Sequence, residues 1–183
     1  MSGFAEALLA TFGVIEMAEV VNGFETVASG STEARVAIPS GFTDSSVLPV
    51  VSPVLQENDA NLDLFRATID TGSSELVLTR DTTGAEVIIP WAMIHVPGAV
   101  VEEVLGTITA VTQGTVALNS SIPVDRVVLQ VSGRANHSGV TVGHRPTVIG
   151  RSLVSGEITE VVVGRILSNN TLTFAVHAMT LPE

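Results

Sequence analysis

The sequence predicts an all-β protein: two tandem antiparallel β-sandwich domains of jelly-roll-like form, with a short N-terminal helical arm ahead of them. Three observations carry that expectation. Short apolar runs alternate with turn residues at spacings of about ten residues, the rhythm of sandwiches and small barrels. Val, Ile, Leu and Ala supply most of a 45% hydrophobic composition that contains no Tyr and a single Trp, which suits a pleated, packed core. The first half is also echoed in the second at a separation that drifts from 83 to 86 residues. Gly23 is matched by Gly106, Gly30 by Gly114, Ile38-Pro39 by Ile122-Pro123, Glu75 by Glu160, Arg80 by Arg165 and Met93 by Met179. Matches in one order with a growing offset indicate a duplicated unit of about 80 residues that gained a few loop residues.

The elements follow from local pattern. Residues 2–12 place Phe4, Leu8, Leu9 and Phe12 on one helical stripe, with Ser2 as N-cap and Gly13 as stop. This arm spans 1–19, and its apolar face is covered either by its own domain or by a neighbouring subunit. The first domain, 20–97, alternates at Ala34, Val36 and Ile38 and stops at Pro39-Ser40-Gly41. Val47 to Leu55 contains Pro49 and Pro53 and therefore reads as an edge or bulged strand. Leu64–Ile69, Glu75–Thr79 and Glu86–Ile94 complete a meander. Residues 98–104 read as a linker. The second domain, 105–183, repeats the plan with Gly106–Val111, Thr115–Leu118, Val127–Val131, Thr147–Leu153, Ile158–Val163 and Thr171–Met179, and a polar loop at 133–143.

Composition narrows function. Eight Lys and Arg against 19 Asp and Glu give a net charge of −11, which repels phosphate backbones and anionic headgroups, so neither nucleic acid nor a membrane is an expected partner. No cysteine means no disulfide, thiolate metal site or thiol nucleophile. The N-terminus lacks the basic opening of a secretory signal and reads as part of the mature protein.

Few residue sets suggest chemistry. Asp59, Asn61 and Asp63 have the first spacing of a calcium loop, but Leu64 stands where that loop needs Gly, so the stretch reads as a solvated loop. His137 and His144 share a loop without metal-ligand spacing, while His95 and His177 read as polar caps near strand ends. No metal or other cofactor is expected. Trp91 and Phe42 are read as core.

Two resemblances add to this reading. Ile69-Asp70-Thr71-Gly72-Ser73-Ser74-Glu75 resembles the active-site turn of aspartic proteases, and Ile149-Gly150-Arg151 is similar to a late segment of the retroviral type. That resemblance implies Asp70, Thr71 and Gly72 as catalytic residues of a homodimer, because the second half offers Val154-Ser155-Gly156-Glu157 instead of its own Asp-Thr-Gly. The other resemblance runs through Val21-Asn22-Gly23, Ala34 to Pro39, Pro49-Val50-Val51-Ser52-Pro53, Glu75 to Arg80 and Ile89-Pro90-Trp91-Ala92-Met93-Ile94. Those stretches resemble β-sandwich structural modules of tailed-phage virions and, more distantly, the H-type lectin fold. This implies a non-enzymatic virion protein, a capsid decoration (cement) or tail-associated part. Its partners would be copies of itself, a trimer favoured, and a major capsid or tail protein, with Phe4, Leu8, Leu9 and Phe12 as contact residues. A carbohydrate-binding host-recognition module using the loop 133–143 and the protease are the alternatives.

Overall fold

The computed structural model describes residues 18–52, 54–55, 62–81, 83–135, 145–168 and 171–183, with the backbone alone at 54–55 and 62–63. The chain is all-β. Its strands are β1 (Glu19–Val27), β2 (Glu33–Ala37), β3 (Val47–Val51), β4 (Val54–Leu55), β5 (Leu62–Asp63), β6 (Arg66–Asp70), β7 (Glu75–Thr79) and β8 (Val87–His95) in the first half. The second half contributes β9 (Val100–Thr109), β10 (Gln113–Pro123), β11 (Val127–Ala135), β12 (Thr147–Val154), β13 (Glu157–Gly164) and β14 (Thr171–Thr180). Short 3-10 turns at Asp44–Ser46 and Val124–Arg126 lead into β3 and β11. The arm residues Phe4, Leu8, Leu9 and Phe12 lie outside the described residues, as do Asp59, Asn61, His137 and His144.

Among the described residues, four antiparallel three-stranded sheets form, in the orders β1-β8-β3, β2-β7-β6, β11-β14-β9 and β10-β13-β12, with β4-β5 as a separate two-stranded ladder. The second pair of sheets repeats the connectivity of the first: β9 takes the place of β1, β10 of β2, β11 of β3, β12 of β6, β13 of β7 and β14 of β8. In the first half, Val27, Val47 and Met93 from one sheet and Ala34, Ala67, Leu76 and Leu78 from the other bury in one cluster. Ile108, Leu172 and Phe174 join Val116, Ile158 and Val161 likewise in the second. A third cluster joins the halves, with Leu48 and Ile94 against Val128, Met179 and Leu181. Each Val, Leu, Ile, Met or Phe side chain among them is worth roughly 1.5–3 kcal/mol when fully buried. β3 carries Pro49 and lies at a sheet edge, where a residue without an N–H is tolerated.

Several sequence expectations need correction. Residues 100–104, read as linker, belong to β9, and only 96–99 connect the halves, through a turn in which Ala99 N–H donates to Val96 C=O at 3.0 Å and Gly98 has φ +79°. β10 likewise runs well beyond Thr115–Leu118. Glu102, Glu103, Asn119 and Ser120 look like loop residues because they are polar. Their groups are satisfied across strands, however: Glu102 accepts from the Ser120 N–H at 3.0 Å and Oγ at 2.6 Å, and from the Asn119 N–H.

Trp91 and Phe174 share one local environment. Gly23 faces Trp91 in the β1–β8 ladder and Gly106 faces Phe174 in the β9–β14 ladder. A Cβ on Gly23 would sit 2.9 Å from Trp91 Cζ2, and one on Gly106 only 2.3 Å from Phe174 Cζ. Each ring therefore lies over a glycine of the neighbouring strand. Trp91 and Phe42 are both half-buried and pack on the first cluster.

Candidate functional site

Asp70 closes β6, and residues 71–74 turn the chain into β7, where Glu75 pairs with Asp70. The Asp70 carboxylate accepts the Gly72 N–H at 3.0 Å, an Asx turn that bends the chain, and Ser74 takes φ 55°. Arg35 on β2 reaches across, donating from one terminal nitrogen to Asp70 Oδ2 at 3.0 Å and Glu75 Oε2 at 2.9 Å, and from Nε to Glu33 Oε1 at 2.6 Å. The guanidinium holds both Asp70 and Glu75 below the usual carboxylate range, helped by Ser73 in each case. The same carboxylates push Arg35 upward. Thr71 is exposed beside them. Asp70, Thr71 and Gly72 are thus brought together as a turn braced by a surface ion-pair cluster. A carboxylate held ionised by a cation is poorly suited to sharing a proton with a second acid. The equivalent turn of the second half, Ser155 (φ 53°) and Gly156 (φ 85°) between β12 and β13, carries no aspartate.

A second set of polar contacts lies at the junction between the halves. Glu103 Oε2 accepts from the Ile69 N–H of β6 at 3.0 Å and pairs with the fully buried His177 Nε2 at 2.9 Å. Among the described residues His177 Nδ1 is buried with no hydrogen-bond partner. Ser132 Oγ accepts the Ala67 N–H at 2.9 Å, and Arg134 Nε meets Asp81 Oδ1 at 2.9 Å. Arg66 lies nearby with its pKa lowered, first by burial and then by Arg134. His95 instead stacks on Phe42, ring centroids 4.5 Å apart.

No protein-family model, curated protein or solved structure matches the chain.

Among the described residues, no three His, Asp or Glu side chains gather into a metal-binding group, and no helix is long and apolar enough to cross a membrane. The surface is distinctive in another way. Phe24 is 69% exposed and Ile88 55% on the β1–β8 face, while Ile149, Leu153 and Val154 on β12 are each more than half exposed. Sequence reasoning missed these surfaces. Phe24 follows Gly23 in an alternating strand, and its phase opposite the buried Val27 was the available signal. In β12, register shifts between Val148 and Gly150 and between Ser152 and Leu153 break simple alternation, so Ile149 lies beside Gly164 while Leu153 pairs with Ile158 at the sheet edge.

Proposed function

We propose that the chain is a non-enzymatic architectural protein of a virion, a capsid decoration or tail-associated part, assembled as a homo-oligomer of tandem β-sandwich units. One observation carries the assembly reading: large apolar side chains are exposed on two strand surfaces, β1–β8 and β12, of a strongly acidic chain. Exposed contiguous apolar surface marks interaction sites, and high net charge otherwise keeps copies apart. The sandwich reading is supported by clusters that each draw on two sheets, and the tandem reading by the repeated strand order. The virion assignment comes from the resemblance of residues 21–53 and 75–94 to tailed-phage modules. Its partners would be further copies, three favoured, and a major capsid or tail protein.

The test is the solution mass by light scattering of the chain with and without residues 1–18. The expected result is an oligomer, a trimer or larger ring, that reverts to folded monomers when the segment is removed. Unchanged assembly in the truncated chain overturns the role of Phe4, Leu8, Leu9 and Phe12. A monomeric full-length chain overturns the oligomeric reading itself.

A further inference from the structure

The two halves of the chain meet through unlike surfaces, and the arrangement is built from backbone groups that an edge strand leaves over. β6 ends the sheet β2-β7-β6, so half of its N–H and C=O groups point away from β7. The face of the β11-β14-β9 sheet takes them up. Ser132 Oγ accepts the Ala67 N–H at 2.9 Å and lies 3.4 Å from the Ala67 carbonyl, to which it can donate, and Glu103 accepts the Ile69 N–H at 3.0 Å. Apolar contact of Val128 and Met179 with Leu48 and Ile94 seals one end of the same junction.

Internal repetition supplies the equivalents of both surfaces. β12 holds in the second half the place that β6 holds in the first, at the edge beside the central strand. Among the described residues no side chain from elsewhere caps its backbone, and Ile149, Leu153 and Val154 stand 55%, 53% and 59% exposed along it. β1 and β8 hold the place of β9 and β14. On their outer face Val20, paired with Ile94, belongs to the junction cluster, and the same phase continues through Phe24, opposite Pro90, to Ile88, opposite Thr26. Beyond the junction this face is open, with Phe24 69% and Ile88 55% exposed.

We infer that a second copy of this chain docks head to tail, the Phe24–Ile88 face of one copy lying on the β12 edge of the next. The contact repeats between copies the one that the halves make within a copy. It rests on the oligomeric role proposed above and names a contact that acts together with residues 1–18, so that loss of either gives monomers. A heterologous contact of this kind closes into a ring or runs on as a filament. Three copies closed in this way set six similar halves around one axis.

The test uses Phe24→Glu and Leu153→Glu, both exposed positions where a carboxylate leaves folding intact, with Ile88→Glu and Ile149→Glu as replacements should circular dichroism show lost strand structure. Light scattering at one concentration compares the unaltered chain, each variant and their equal mixture. The expected result is an assembled unaltered chain, two monomeric variants, and a mixture that gives one-to-one dimers and nothing larger, since each variant keeps the surface the other has lost. If the unaltered chain assembles and the mixture stays monomeric, the head-to-tail contact is wrong while the oligomeric role stands. Assembly blocked by Leu153→Glu alone identifies a symmetric β12 pairing and overturns it. Unchanged assembly with lowered thermal stability in Phe24→Glu shows that the chain's own N-terminal segment covers that face, and also overturns it. An unaltered chain that is monomeric throughout removes the oligomeric role and this inference together.

Discussion

Arg80 and Arg165 are buried one residue past the ends of β7 and β13, and each ties down the turn joining the first two strands of its half. The backbone N–H of Arg80 donates to Thr32 C=O, its Nε to Ser31 C=O and a terminal nitrogen to Ala28 C=O; Arg165 treats Thr112, Val111 and Ile108 in the same way. A planar fork of donors suits several converging carbonyls better than an ammonium does. Burial lowers the Arg165 pKa. The echo of these two arginines was visible in the sequence, but their role was not, because it lies in carbonyls dozens of positions away. The same correspondence matches Gly30 (φ 79°) to Ala110 (φ 54°) and not to Gly114, since in both turns the residue two before the bonded Thr takes positive φ. Arg35 gives the residue-scale prediction. In Arg35→Gln, Asp70 and Glu75 should titrate closer to ordinary carboxylates, as followed by NMR of the carboxyl carbons. Because their folded pKa values are depressed, the stability they contribute is present above the ordinary carboxylate range and is lost as pH falls through the depressed values. The unaltered chain and the variant should therefore differ most at neutral pH and converge in acid. The cluster is largely exposed, so the difference should be small.

Strands are set in register by the glycine and ring pairs as much as by alternation. Phe174 is buried against Gly106, and a Cβ there would also meet Val116 Cγ1 at 2.7 Å. Gly106→Ala should destabilise the chain by about 2 kcal/mol through overpacking, read by denaturant unfolding. Adding Phe174→Leu should recover part of that loss relative to Phe174→Leu alone, because the smaller side chain makes room. Recovery absent from this cycle would show that the glycine is needed for something other than space. Strand presence in both halves was legible from alternation and turn residues. Strand length was not, because Glu102, Glu103, Asn119 and Ser120 are polar residues whose partners lie in another sheet or in the other half.

For the whole molecule, charge and apolar surface oppose one another. A net charge of −11 repels identical copies over a Debye length of about 30 Å at 0.01 M salt and about 8 Å at 0.15 M. Self-association through Phe24, Ile88 and β12 should therefore tighten as salt rises, in contrast to an interface made of ion pairs. Sedimentation across a sodium chloride series checks this, and weaker association at high salt would show that charge pairing holds the copies together.

The sequence by itself determined the all-β class, most strand positions and the presence of a repeat. These are local properties: alternation, turn chemistry, composition and residue order. Only the tertiary structure decided that Trp91 and Phe174 each lie over a glycine of the next strand, that 100–104 is strand, that Asp70 is braced by Arg35, and that Ser132 and Glu103 cap the edge of β6. Each of those depends on which side chain meets which backbone group across large sequence separations, and periodicity along one strand carries no information about its neighbour.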